Sequence, residues 1–425
     1  MQIRLFKNRP LRLFLGSYLT LLTLLLIAPI ESRNDFSAQS ILIGISFPFF
    51  FATFYAIGQR RIPSHIDIYI NPSRLNIIIN VLVSIVLTGL ALRLIDRIIL
   101  RGASFTSNFL ENRLAVAESE TSAVSFFALL LCHFALVIPT LLAIRKAGGR
   151  KRNSDKLLLL VCFLYPITDL FLFGLRYPII IQLVSIWVAA GLFYERKKFL
   201  KRHLILFALF PAVVWALGYT FTLRASQSGI DPINSMTQSA YATFTPISPE
   251  GEEFVKSDET GFVYGLVHIA QYFSHGIFEF FYAIENNSNI TSDGAYSLYI
   301  PFKITATILG ITPSADERVQ EAMPRPYVYT TYFGPLFFDF GHYAILAACI
   351  IGFYSGRVYK YLFRGSLEFL PLHTALCTAL PFAAAVNILA ILNGQIFLLV
   401  ALLSYPALKW ARNPVKPSAP RKSGD

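Results

Sequence analysis

The chain reads as an all-α polytopic membrane protein with about ten transmembrane helices and one large loop that carries an amphipathic helix. Two observations predict this. Of 425 residues, 55% are hydrophobic and only 15% charged, with a mean hydropathy of +0.54. A soluble domain carries about 25% charged residues, which is what keeps its surface wet. Apolar runs of spanning length also recur along the chain, and the basic residues sit on alternate connections between them. This composition excludes a cytosolic enzyme, a disordered chain and a secreted disulfide scaffold.

A helix needs roughly 20 apolar residues to cross a bilayer. The first run, 11–30, follows Arg4, Lys7 and Arg9 and carries Arg12 at its start. It is too long for the apolar stretch of a signal peptide and no small-residue cleavage site follows, so it is expected to be an uncleaved span. The second, 39–57, ends on Arg60 and Arg61, and the third, 75–95, starts after Arg74. The fourth, 122–144, ends on Arg145 and Lys146, and the fifth, 156–173, starts after Arg150, Lys151 and Arg152. The sixth, 178–194, follows the tight 174–177 hairpin. Arg196, Lys197, Lys198, Lys201 and Arg202 separate it from the seventh, 203–223. The eighth, 332–356, ends on Arg357, Lys360 and Arg364. The ninth and tenth, 367–391 and 394–410, lead into a basic tail, 411–425.

Lys and Arg in short loops mark the cytoplasmic side, so these clusters belong there together with both termini. The net charge of +12 is then mostly topology and calls for no nucleic acid. Cys132, Cys162, Cys349 and Cys377 each lie inside an apolar run, and none forms a C-x-x-C pair. They read as buried small hydrophobes, not as disulfides or thiolate metal ligands. The chain thus divides into a seven-span bundle (1–223), a large outer loop (224–331), three further spans (332–410) and the tail (411–425).

Long loops are usually functional, and 224–331 contains an apolar run at 262–284. A single extra crossing there would put Arg357, Lys360 and Arg364 outside, so the run is expected to return to the same face. A hairpin with 296–311 would also keep the parity. Polar residues at Tyr264, His268, Gln271, Tyr272, His275, Glu279 and Tyr282 form one helical stripe. Such a helix lies in the interface with its polar face in water, or lines a site in which a histidine accepts a proton. The spacing of seven between His268 and His275 is unlike H-E-x-x-H, so no metal is expected.

An aspartate inside a span costs about 2.5–3.5 kcal/mol on insertion scales, so Asp339 should face a partner or a wet cleft. Tyr332, Asp339 and His342 are expected on one helix face. Arginines on the outer side run against the topology bias. They are Arg93, Arg97, Arg101, Arg113, Arg176 and Arg224, with Asp96 between the first two and Asp169 seven residues before Arg176. Each either snorkels to lipid headgroups or joins a cationic lid suited to bidentate phosphate binding. No Walker A, GxSxG or dinucleotide fingerprint appears in a suitable context.

In topology the chain resembles the bacterial oligosaccharide repeat-unit polymerases, the Wzy-type O-antigen polymerases, over nearly its whole length. The resemblance is most specific at 96–113, 174–180, 223–226 and above all 327–341 (YVYTTYFGPLFFDFG). The arginine–glycine spacing described in some members is absent from the large loop. The resemblance implies a GT-C-like membrane glycosyltransferase in the bacterial inner membrane, its large loop periplasmic. It would transfer a growing glycan from undecaprenyl diphosphate to another lipid-linked repeat unit.

The implied partners are undecaprenyl-diphosphate-linked oligosaccharides as donor and acceptor, membrane lipid, a chain-length regulator and a flippase. No cofactor and no metal are implied. His275, His268 and Asp339 are the candidate bases. Arg176, Arg224, Arg113, Arg325, Glu279, Tyr329 and Tyr332 are the candidate substrate contacts. An O-antigen ligase of the same class and a lipid-linked oligosaccharide flippase or other transporter are the competing readings. A transporter should show repeated halves, and none is visible.

Overall fold

A computed structural model describes residues 1–6, 10–32, 35–105, 108–118, 123–150, 152–193, 231–258, 260–286, 291–310, 314–325 and 328–412. Residues 211–229 are also described, except 213, 217, 224 and 228. Arg224, Tyr327, the start of the seventh expected span and nearly all of the basic tail lie outside these residues.

In chain order the helices begin with α1 (Pro10–Ile27), α2 (Ala38–Gly58), α3 (Pro72–Leu94), α4 (Phe109–Glu118), α5 (Ala123–His133), α6 (Ile138–Ala147), α7 (Ser154–Phe173) and α8 (Tyr177–Gly191). After the helical residues of 211–227 come α9 (Pro232–Thr237), α10 (Pro249–Lys256), α11 (Phe262–Glu285), α12 (Tyr299–Leu309) and α13 (Ala315–Ala322). The last are α14 (Gly334–Phe340), α15 (Ala344–Leu362), α16 (Leu370–Ala379), α17 (Leu392–Leu403) and α18 (Tyr405–Ala411).

Among the described residues, seven helical stretches are long and apolar enough to cross a membrane: Pro10–Ile27, Ala38–Gly58, Pro72–Leu100, Val124–Ala147, Ser154–Phe173, Gly334–Leu362 and Leu392–Ala411. Tyr177–Gly191 and Leu367–Phe382 are apolar but shorter. The chain is an all-α polytopic membrane protein. The one sheet among the described residues is a two-stranded antiparallel pair, β1 (Gln2–Phe6) with β2 (His65–Tyr69).

Small residues let the helices approach closely, as bilayer-embedded packing requires. Gly352 and Gly356 on α15 press against the Phe51 and Tyr55 carbonyls of α2, and Gly58 of α2 meets the Phe353 carbonyl. A Cβ at any of these three would collide with backbone.

The described basic connections gather at one end of the bundle. There Arg4 pairs with Asp67 at 2.9 Å, and Arg74 donates to the Trp410 carbonyl at 2.9 Å. Arg412 reaches Glu368 at 3.3 Å and the Gly365 carbonyl at 3.0 Å, while Arg145 pairs with Asp155. At the opposite end the long loop joins the α1–α2 connection. Glu31 N–H donates to the Pro246 carbonyl, and Ser248 N–H to that of Pro29.

The structure departs from the expected helices in three places. The eighth run starts helical only at Gly334 and breaks at Gly341 (φ 54°, ψ −135°), a conformation reserved for glycine. Tyr332 therefore lies ahead of the helix and His342 is exposed while Asp339 is buried, so the three do not share a face. The ninth run stops being helical at Phe382; residues 383–390 are irregular yet buried. Pro381 removes a donor there. The Asn387 side chain takes over, accepting from the Leu389 and Ala390 N–H groups and donating to the Tyr332 carbonyl.

The third departure concerns α11. It has the bounds the stripe predicts, but the stripe does not face water: His268, Gln271, Ser274, His275 and Glu279 are all buried. Gly265 packs against Gly218, and Gly276 packs so closely on Ala385 that it admits no side chain.

Candidate functional site

The buried stripe of α11 must find partners inside the protein, because an unpaired buried polar group is costly. Gln271 Nε2 donates to the carbonyls of Met236 (3.2 Å) and Thr245 (2.9 Å), which draws the 236–245 segment onto the helix. That brings Tyr241 over the stripe. Its ring lies 4.5 Å from His275 and 5.3 Å from Tyr272, and Tyr272 lies 6.3 Å from Tyr329. Tyr177, at the start of α8, donates to the Ile388 carbonyl at 2.9 Å, within electrostatic reach of the Tyr272 and Tyr329 hydroxyls. These four rings are half-buried, each presenting an apolar face and a polar tip.

One turn beyond His275, Glu279 is 3% exposed and pairs with Arg325 at 3.1 Å. Arg325 also donates to Thr243 Oγ1 at 3.0 Å and lies over the Phe244 ring. Burial pushes the Glu279 carboxyl up to about 7, with Arg325 opposing the shift. A carboxyl so placed can take up and release a proton near neutrality.

His275 is less suited to that role than its sequence position suggests. Its Nδ1 lies 2.7 Å from the Tyr272 carbonyl and its Nε2 3.0 Å from that of Tyr329. Both nitrogens lie against backbone carbonyls, and a neutral ring, with one N–H, can donate to only one of them. Burial pushes its pKa down to about 4. The ring works as a clamp between α11 and the 328–332 segment.

Two turns back, His268 meets the Phe221 ring at 3.8 Å and stacks on Tyr264 at 5.8 Å. The Arg176 guanidinium also lies over Phe221, 3.5 Å from the ring centre, a cation–π contact. Arg176 and His268 thus belong to one aromatic stack, and Glu279 and Arg325 lie toward the other end of α11.

The other residues singled out by sequence hold the fold together. Asp339 Oδ1 accepts from Ser292 Oγ (2.6 Å) and Tyr296 N–H (2.9 Å), and Oδ2 from Ser297 N–H (2.7 Å). It latches the 292–298 turn and faces no cleft. The Tyr332 ring is packed against Phe51 and Phe333 at 5.7 and 5.3 Å. Arg113 donates from Nε and Nη2 to the Phe173 carbonyl, at 3.0 and 2.7 Å, closing one of the open C-terminal carbonyls of α7.

Three of the six arginines of the expected cationic lid pair with two aspartates. Arg93 makes a two-pronged bond with Asp169 at 3.0 and 2.8 Å, and Asp96 takes Arg101 at 3.1 Å and Arg97 at 3.6 Å. Asp169 is not on a continuous helix with Arg176, because α7 ends at Gly174 in the left-handed region (φ 62°). Among the described residues no three His, Cys, Asp or Glu side chains come together as a metal site would require.

Replacing Asp339 with Ala should strip the partners from two N–H groups, at about 1–3 kcal/mol each. Thermal unfolding in detergent should drop accordingly, and proteolytic nicking between 291 and 298 should rise. Asp339→Asn should recover part of both. Unchanged melting in the Ala variant would show that the latch is not structural.

No protein-family model, no curated protein and no solved structure matches the chain.

Proposed function

We propose that the protein is a membrane glycosyltransferase that polymerises undecaprenyl-diphosphate-linked oligosaccharide repeat units. It would act at the periplasmic face of the bacterial inner membrane, making O-antigen or a related surface polysaccharide. The observation that carries this reading is the array along α11. Half-buried tyrosines offer flat faces and hydroxyl edges to a sugar, a buried carboxyl sits at one end, and arginines lie at both. The described basic connections lie at the far end of the bundle and would face the cytoplasm, which supports an outer position for the array.

In this mechanism the acceptor hydroxyl gives its proton to Glu279 as its oxygen attacks the anomeric carbon of the donor. The bond from that carbon to the diphosphate breaks, and undecaprenyl diphosphate leaves with the bonding pair. Arg325, 3.1 Å from Glu279, would stabilise the developing negative charge, since fixed donors count for most where water is excluded, while Arg176, about 16 Å along the helix, would hold a more distant part of the substrate. A diphosphate is already a good leaving group, so the chemistry asks for no nucleotide and no metal. Asp339, Arg113 and Tyr332 would support the site without touching substrate.

One observation favours a second reading. The irregular backbone at 383–390 between α16 and α17 is the kind of discontinuous helix that transporters use to bind substrate. A gel of surface polysaccharide after gene deletion separates the possibilities. The polymerase reading expects the ladder to vanish while a single capped unit remains. A ligase would leave carrier-bound polymer but no capped glycan, and a flippase would leave neither; either result would overturn the proposal.

A further inference from the structure

At the basic end of the bundle, away from the array on α11, α1 and α2 diverge around a groove of about 490 Å³ lined by Leu11, Arg12, Leu15, Ala56, Gln59, Arg60 and Arg61. Its three arginines are exposed. Most other arginines at this end are engaged: Arg4 with Asp67, Arg74 with the Trp410 carbonyl, Arg145 with Asp155, Arg412 with Glu368. The side chains of Arg12, Arg60 and Arg61 make no ion pair or hydrogen bond with any described residue. Instead, more positive charge is close by. Arg61, Arg357 and Arg364 all lie near enough to Lys360 to repel it.

The backbone supplies an independent sign. Arg61 has φ 63°, one of two described non-glycine residues in the left-handed region. That conformation is disfavoured for an L side chain and arginine has no local hydrogen bond to offset it. Gly58, three residues earlier, is locked against the Phe353 carbonyl of α15. The turn is therefore held rigidly, and its strained residue is one of the groove's cations. Strain of this kind persists where a function needs it.

The walls say what the anion is attached to. Leu15 is 54% exposed, Leu19 and Leu22 continue the bare apolar face of α1 toward the centre of the span, and Ile57 is exposed at the groove end of α2. A free phosphate would have no use for that face, whereas acyl chains would cover it. We propose that the groove binds the phosphate headgroup of an anionic phospholipid in the leaflet at the basic end, with the lipid's chains lying along α1 and α2. Basic pockets between spanning helices are suited to such headgroups, and each arginine near a charged membrane surface contributes roughly fivefold in affinity.

The test uses the full chain in detergent, with phosphatidylglycerol and phosphatidylcholine as probes, and bound lipid read by native mass spectrometry. The wild type should retain phosphatidylglycerol selectively. Changing Arg12, Arg60 and Arg61 together to Gln should lower its affinity for phosphatidylglycerol by about a hundredfold. The same change at the exposed Lys146, Arg150 and Arg152 should not. Arg61→Gly removes one cation and also relieves the backbone, so it should melt no lower than wild type yet bind about fivefold more weakly. Equal loss in the two triple variants would mean a diffuse charge effect and would overturn the site. Displacement of the lipid by inorganic phosphate would mean that the groove takes a free anion, and would overturn the lipid assignment. No selectivity in the wild type would overturn both.

Discussion

Glu279→Gln should slow glycan transfer by about 10²–10⁴-fold at matched membrane expression, the usual loss when a positioned base is removed. The amide keeps the shape of the side chain and can still meet Arg325, so the loss would report the missing proton acceptor. The pH profile makes the assignment sharper. Burial raises the Glu279 carboxyl to about 7, so it is protonated and idle below that pH. Transfer by the purified protein in liposomes should climb with pH through about 7 and level off above it.

His275, pushed down to about 4, is neutral throughout this range, so a His275 base would give a flat profile between about pH 5 and 8. A flat wild-type profile would remove Glu279 from the mechanism. The same shift has a sign for stability. A carboxyl raised above its usual pKa of about 4.3 binds more protons folded than unfolded. Its contribution is present below about 4 and fades as pH rises through about 7, and Glu279→Gln should abolish that dependence.

The second large effect lies at the Arg93–Asp169 pair. Asp169→Leu leaves a guanidinium buried without its carboxylate, and breaking such a pair costs about 3–5 kcal/mol. Arg93→Met should cost about as much for the mirror reason. The double variant should recover most of the loss, because packed apolar groups replace a buried pair at little cost. Thermal unfolding of the three variants checks this. Activity per folded molecule should hold in all of them, since the pair touches none of the residues along α11. Single variants that melt like the wild type would show that the two charges do not depend on each other.

Much of the fold was legible because apolar runs and local periodicity are short-range signals. The polar stripe predicts α11 almost to the residue. What the stripe faces was not legible. The cover comes from Tyr241, Thr243 and Thr245 in one segment and Arg325 and Tyr329 in another, and nothing in a periodicity reports which distant segment will fold over it. The same limit hid the Arg93–Asp169 bond, whose partners are 76 residues apart. It also hid the carbonyls that lie against the His275 nitrogens, since backbone acceptors are invisible in a side-chain pattern. The break after Phe382 did leave a trace in Pro381 and Asn387. It was masked by the run of Ala383, Ala384 and Ala385, which reads as good helix. Arg224 falls outside the described residues and keeps only its sequence argument.

The irregular stretch after Phe382 also bears on how the protein is made. Ala384 N–H donates to Ser17 Oγ, the Ala383 carbonyl accepts from Tyr332 N–H, and Asn387 donates to the Tyr332 carbonyl. Ala385 rests on Gly276. Every one of these partners is synthesised earlier than the stretch it supports; only Gln395, which donates to the Ala390 carbonyl, comes later. Released into lipid without them, the bare amides and carbonyls would each cost several kcal/mol. The last hairpin is thus no independent module to be swapped between chains. The ribosome delivers it into a socket that the preceding spans supply.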